Sequence, residues 1–212
     1  MRMVKLVFIR HGECDDQAFL RGHVNSNLTA LGQTQMQAQV DKLQKLYAPD
    51  AVFSSDLKRC ALFAQQWCHS NHTSLQVDSG WREINFGLFD GLSFKQLEQQ
   101  YPKKLQQFLD SPYSDCIPEQ ECFADFKNRI LKQINGLLER VNKDGEDQTT
   151  LWIFTHSGVM HAFAQEVLGM SLDKMFNLKV EYAGAMLFDA YLSETNNEPP
   201  YFQLTHLYTP SY

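Results

Sequence analysis

The feature that most constrains this chain is an apolar run that stops abruptly at a basic pair. Residues Val4 to Ile9 read Val-Lys-Leu-Val-Phe-Ile, and Arg10-His11-Gly12-Glu13 follow at once. Leu6 to Ile9 show no polar alternation, and Val4, Val7 and Ile9 are β-branched, which is the pattern of a strand buried on both faces of a parallel sheet. The theme returns late in the chain, where Leu151-Trp152-Ile153-Phe154-Thr155 ends in His156-Ser157-Gly158. In open α/β sheets ligands collect beyond the carboxyl ends of strands, where loops and helix starts present free backbone N–H groups. Each of these strands therefore delivers a histidine and a glycine to such a position.

Between them the chain alternates strands and helices. Thr29 can cap a helix whose Met36, Val40, Leu43 and Tyr47 share one face. Ala51-Val52-Phe53 reads as a short strand, and Ser54-Ser55-Asp56 as the cap of a helix with Leu57, Cys60, Ala61, Ala64 and Trp67 on one side. Leu75-Gln76-Val77 offers a third strand. Ser93 and Gln96 have capping-box spacing, and Pro102 restarts the helix after Tyr101. The stripe Phe123, Phe126, Ile130, Ile134, Leu137 and Val141 predicts a long core helix, and Gly169 stops a helix running from Gly158 to Leu168. Leu178 to Tyr182, Ala185 to Phe188 and Gln203 to Leu207 read as closing strands. The alternation predicts an α/β fold, a three-layer α/β/α doubly wound and mostly parallel sheet. At 212 residues one domain over 1–212 is expected, with a small helical cap insertion at roughly 92–122 around an irregular stretch from Asp110 to Glu121.

Composition removes several function classes. A formal net charge of -6, with no long basic run and no basic surface helix, argues against nucleic acid and against an anionic membrane as partners. The five cysteines are odd in number and no pair has Cys-x-x-Cys spacing, so reduced buried thiols are expected rather than a zinc or redox site. Met1-Arg2-Met3 leads straight into the first strand, and no apolar run spans a bilayer, which points to a cytoplasmic setting. A homodimer is compatible with all of this.

Five stretches, taken in order, resemble the histidine phosphatase superfamily, also known as the phosphoglycerate mutase-like family. Arg10-His11-Gly12-Glu13 matches its first motif, Asn27-Leu28-Thr29-Ala30-Leu31-Gly32 its leucine-threonine-x-x-glycine element, and Ser54 to Arg59 its second arginine motif. Glu83 with Phe86-Gly87 and Asp90-Gly91 matches the acid motif, and His156 with Gly158 the second histidine. Within the family the chain is most similar to the α-ribazole phosphatases of the adenosylcobalamin pathway, through its short length, Gly22-His23 ahead of Leu28-Thr29, and Ile117-Pro118-x-x-Glu121 before Phe123. Gln120 departs from the glycine usual there, and Cys14, Gln17 and Phe63 replace a threonine, an asparagine and a threonine.

The resemblance implies a phosphoglycerate mutase-like fold and a metal-independent phosphomonoesterase with no cofactor, acting on a small-molecule ester, α-ribazole 5′-phosphate first among them. A broad sugar, nucleotide or phosphoglycerate phosphatase, a mutase, and a catalytically silent phosphate- or phosphoprotein-binding module are the alternatives. The catalytic set would be His11, Glu83, His156, Arg10 and Arg59, with Arg10, Arg59, His156, Gln17, Gly22 and Ser157 contacting substrate. The chemistry of these residue types agrees. Guanidinium forks match phosphate oxygens and keep their charge, whereas a divalent ion would want more neutral or anionic ligands than a pocket with two arginines supplies. An imidazole attacks only when neutral, and neighbouring arginines favour that state. Glu83, wrapped by Trp81, Ile84, Phe86 and Phe89, would have a raised pKa and serve as acid, then base.

Other histidines and charges read more plainly. His69 and His72 are expected to be exposed, His161 lies five residues from His156 and so off its helical face, Cys14 reads as an inert thiol, and Arg21 and His23 read as solvated loop residues.

Overall fold

The apolar run becomes the centre of β1 (Arg2–Arg10), where Val4 to Ile9 are all buried. The computed structural model describes residues 2–15, 19–111, 113, 117–144, 148–193 and 198–210, so Gln17 lies outside the described residues. The other elements are α1 (Ala30–Leu46), β2 (Ala51–Ser54), α2 (Lys58–Asn71), β3 (Leu75–Val77), α3 (Phe94–Gln100), α4 (Pro102–Asp110), α5 (Phe123–Asp144), β4 (Gln148–Thr155), α6 (Ser157–Leu168), β5 (Ala185–Leu192) and β6 (Tyr201–Tyr208). They form a six-stranded sheet in the order β3-β2-β4-β1-β5-β6. The first four strands in that order run parallel, while β5 pairs antiparallel with β1 and β6 antiparallel with β5.

Strand alternation sends side chains to two cores. Val4, Leu6 and Phe8 pack with Phe126, Ile130 and Ile134 of α5 and Phe163 of α6. Val7 and Ile9 pack on the opposite face with Met36, Val40 and Leu43 of α1 and Phe63 and Trp67 of α2. This is the expected three-layer arrangement. Lys5, the one charge inside the run, pairs with Asp189, its antiparallel neighbour on β5. A third apolar cluster, Phe89, Leu97, Leu105, Phe108 and Ile117, binds α3 and α4 into the helical insertion. No described helix is long and apolar enough to cross a membrane.

Caps follow the sequence in two places and depart from it in a third. Thr29 accepts from the Gly32 N–H, and Ser93 with Gln96 forms the complete capping box. At α2 the N-cap is Leu57 with no side-chain bond; Ser55, expected in the cap, is buried and its Oγ accepts from the Leu57 N–H at 3.3 Å.

Leu178 to Tyr182 is not a strand. A 3₁₀ helix, Leu172–Asn177, leads into an irregular segment that turns at Ala183, whose φ is +54°. Two bonds, Ala183 N–H to the His11 carbonyl and Arg10 N–H to the Gly184 carbonyl, tie this turn to the end of β1. With its backbone so held, the segment cannot join a ladder, and its carbonyls serve side chains instead.

Candidate active site

Parallel pairing of β1 with β4 places Arg10 opposite Thr155, so the next residues on each strand, His11 and His156, emerge side by side. The His11 N–H donates to the Thr155 carbonyl at 3.0 Å, and the two imidazole centroids are 5.3 Å apart. Both side chains are buried.

The His11 Nδ1 lies 2.8 Å from the Gly12 carbonyl. A carbonyl only accepts, so Nδ1 carries the proton and Nε2 keeps a bare lone pair. Burial, and after it the charges of Arg59 and Arg10, hold the His11 pKa well below the ordinary histidine value, against an opposing contribution from the Gly12 bond. The ring is therefore neutral at neutral pH. The Cys14 Sγ touches it at 3.5 Å and is itself fully buried.

Arg59, on the first turn of α2, is fully buried, and its guanidinium is gripped by the protein: Nε donates to His156 Nδ1 at 3.2 Å, Nη1 to the Val24 carbonyl and Nη2 to the Gly22 carbonyl, each at 2.7 Å. Because His156 Nδ1 accepts, its Nε2 bears the proton, and Ser55 Oγ receives it at 2.9 Å. Burial first, then Arg59, depresses the His156 pKa as well. Arg10 donates from Nη1 to the Val180 carbonyl and stacks 4.3 Å above the Tyr182 ring, while its buried Nε has no partner among the described residues.

Glu83 enters from the segment after a 3₁₀ turn, Ser79–Trp81. Its Oε2 accepts from the Gly158 N–H and its Oε1 from the Ile84 N–H, each at 3.0 Å. Burial raises its pKa, and those two bonds together with Arg59 and Arg10 partly offset the rise. Arg82 does not pair with it, because its guanidinium forks onto Asp56.

Two residues that sequence reasoning did not single out hold this frame. All five N–H groups of Arg129 are engaged, by both oxygens of Glu121 and by the carbonyls of Gly80, Arg82 and Glu83. The Asp90 carboxylate accepts from the backbone N–H groups of Gly22, His23 and Val24, the loop whose carbonyls grip Arg59. The only hint in the sequence is Arg129 interrupting the polar flank of an apolar stripe, and Asp90 lying within the acid motif.

A cavity of about 550 Å³ opens onto this group. Arg10, His11, Glu83 and Ser157 line it; Arg59 and His156 stand behind His11, and Gly22 is engaged on both polar atoms, N–H to Asp90 and carbonyl to Arg59. Arg21, read as solvated, is half-buried in the cavity wall, and His161, also in the wall, is buried. His69 and His72 are exposed as expected. The outer wall is aromatic, with Phe19, Phe86, Phe94, Phe108, Tyr113 and Phe176. At its mouth Phe94, Leu109, Leu172 and Phe176 are between 42% and 53% exposed, an apolar rim unusual for a polar substrate. Among the described residues no group of three or more His, Cys, Asp or Glu is placed to hold a metal ion.

Comparison with known proteins gives concordant matches. The family model described as histidine phosphatase superfamily (branch 1) matches residues 6–196. Phosphoserine phosphatase 1 of Hydrogenobacter thermophilus is 26% identical over 183 residues, covering 85% of this chain and 84% of that protein. The metal-independent phosphoserine phosphatase of Arabidopsis thaliana is 28% identical over 185 residues, covering 84% and 75%. The crystal structure of the alpha-ribazole phosphatase from Shigella flexneri superposes with a TM-score of 0.77 at 22% identity, over 96% of this chain and 95% of that one, a likeness of fold.

Proposed function

The chain belongs to the histidine phosphatase superfamily, and from that premise we propose a metal-independent phosphomonoesterase in which His11 is phosphorylated and then hydrolysed. The observation that carries this reading is the His11 ring itself: Nδ1 held by the Gly12 carbonyl and the pKa held down, so that a neutral Nε2 lone pair stands in a cavity bordered by Arg10.

In the first step Nε2 forms a bond to phosphorus as the ester P–O bond breaks, and the protonated Glu83 gives its proton to the departing alkoxide. In the second, the Glu83 carboxylate takes a proton from water, the water oxygen bonds to phosphorus, and the P–N electron pair returns to Nε2. The Arg10 Nε, which has no partner among the described residues, is available to the phosphoryl oxygens. Arg59 and His156 support the developing charge from behind, Arg59 through its buried cation. Ser157, at the first position of α6, offers a further polar group at the cavity wall.

The aromatic wall favours a leaving group with a flat apolar part, and α-ribazole 5′-phosphate, in the nucleotide-loop branch of adenosylcobalamin assembly, is the ester we put first. A second reading is phosphoserine, supported by the names of the two sequence relatives and by Arg21 in the wall as a partner for a substrate carboxylate.

The test is phosphate release in excess EDTA from α-ribazole 5′-phosphate, O-phospho-L-serine, 3-phosphoglycerate and p-nitrophenyl phosphate. The expected result is turnover in EDTA with kcat/KM highest for the ribazole ester, and none from His11→Ala with its fold intact. A preference for phosphoserine selects the second reading. Activity lost to EDTA, or kept by His11→Ala, overturns the mechanism.

A further inference from the structure

His161 lines the same cavity and has no part in the chemistry above. It sits on α6 with only 6% of its surface exposed. Its Nε2 lies 2.6 Å from the Leu178 carbonyl, in the irregular segment that replaces the expected strand. A carbonyl cannot donate, so Nε2 holds the ring proton and Nδ1 is a bare acceptor. That Nδ1 is buried and has no hydrogen-bond partner among the described residues. Nearly all buried polar atoms are paired, and one left unpaired at a ligand cavity marks a place where a ligand donor completes the count.

The ring is also fixed in orientation. Phe176 meets it edge-on, with centroids 5.7 Å apart, and Phe176 in turn stacks on Tyr113 at 5.3 Å with only 8° between the planes. The cavity wall thus sets a rigid acceptor beside a flat aromatic surface. Burial, outweighing the Leu178 bond, lowers the His161 pKa, with Arg10 adding to the effect, so the ring stays neutral and Nδ1 keeps its lone pair.

We infer that His161 Nδ1 accepts a hydrogen bond from an O–H or N–H group on the leaving-group half of the ester, while Tyr113 and Phe176 cover its flat or apolar part. His161 is then a specificity residue, and esters without a donor at that point bind with the acceptor unpaired. Sites built to bond a substrate donor discriminate strongly against analogues that lack it. The inference rests on the phosphatase reading and deepens it by naming what the leaving group must carry.

Two pairs of esters test it, each differing in the donors of the leaving group: adenosine 5′-monophosphate against its 2′,3′-dideoxy form, and O-phospho-L-serine against 3-phosphonooxypropanoate, its des-amino form, with p-nitrophenyl phosphate as the donor-free reference. The expected result is a preference of about tenfold or more in kcat/KM for the donor-bearing member of one pair. His161→Phe should bring that ratio close to one and leave turnover of p-nitrophenyl phosphate within about twofold. His161→Gln, whose amide can donate to Leu178 and also present an acceptor, should restore the preference. Three outcomes overturn the inference: no donor preference in the unaltered protein, a ratio unchanged in His161→Phe, or an equal loss on p-nitrophenyl phosphate. A wild-type protein inactive on all five esters overturns the phosphatase reading together with it.

Discussion

Glu83 and Gly158 approach more closely than any side chain would permit. The Gly158 N–H donates to Oε2 at 3.0 Å, and a Cβ on Gly158 would stand only 2.0 Å from Oε1. The carboxylate therefore lies against the first turn of α6, where exposed N–H groups and the helix dipole favour negative charge and temper the cost of its burial. Glycine is required here for space, with no demand on backbone angle.

Gly158→Ala should push the Glu83 carboxylate out of place while leaving both cores untouched. We expect kcat on an alkyl phosphate to fall about 100-fold, the scale of a misplacement near 1 Å, with a melting temperature close to that of the wild type. Steady-state kinetics and a thermal melt on the same preparation check this. An unchanged kcat would remove Glu83 from the proton transfer.

The pH profile should be bell-shaped. His11 must be unprotonated to attack, and its pKa is below the ordinary value of about 6.5. Glu83 must be protonated to act as acid, and its pKa is above the ordinary value of about 4.3. Activity therefore falls as pH drops through the His11 pKa and as pH rises through that of Glu83. Glu83→Gln should lose more on alkyl esters than on p-nitrophenyl phosphate, whose phenolate leaves without a proton.

Stability should decline in acid through the same buried imidazoles. His11 and His156 have depressed folded pKa values, so below about pH 6.5 the unfolded chain binds protons that the folded one refuses. Folding stability then falls with falling pH, by about 1.4 kcal/mol per pH unit for each histidine. Urea midpoints at pH 7 and pH 5 measure the slope, and replacing both with asparagine should flatten it.

Asp90→Asn should loosen Arg59 without touching it. One amide oxygen cannot replace two carboxylate oxygens serving Gly22, His23 and Val24, and the amide NH₂ faces N–H donors. The expected loss is about 2 kcal/mol in denaturant unfolding and at least about tenfold in kcat.

Arg129→Lys should behave similarly at the other side of the site. A lysine cannot reproduce a fork that serves Glu121 and three carbonyls, so about 2–3 kcal/mol of stability should be lost, measured by urea unfolding.

Which parts of this structure could be read from residue identity follows from what residue identity encodes. The parallel strands were legible because burial on both faces leaves an unbroken apolar run, and α5 because its stripe recurs at helical spacing. His11, Arg10, Arg59, Glu83 and His156 stood at motif positions and do converge, although Arg59 and His156 prove to lie behind the cavity wall. Leu178 to Tyr182 was misread because Leu-Lys-Val-Glu-Tyr alternates like a half-buried strand, and alternation says nothing of carbonyls bound by Arg10 and His161. The roles of Arg129, Asp90 and Ser55 were not legible for a related reason. The first two act on backbone groups of distant segments, which every residue possesses alike, and Ser55 acts on a ring that only the fold brings near.

The pairing of Arg10 with Thr155 has a consequence for how this protein comes into being. The strand carrying His11 precedes both of its sheet neighbours in the chain, β4 beginning at Gln148 and β5 at Ala185. Until those segments leave the ribosome, β1 lacks its partners on both sides and Arg59 lacks the His156 imidazole that accepts from its Nε. A chain ended short of β4 therefore holds His11, Arg10, Arg59 and Glu83 with neither His156 nor the Gly158 N–H that fixes the Glu83 carboxylate. An assembled site therefore requires that both strands flanking β1 have docked, β4 on one side and β5 on the other.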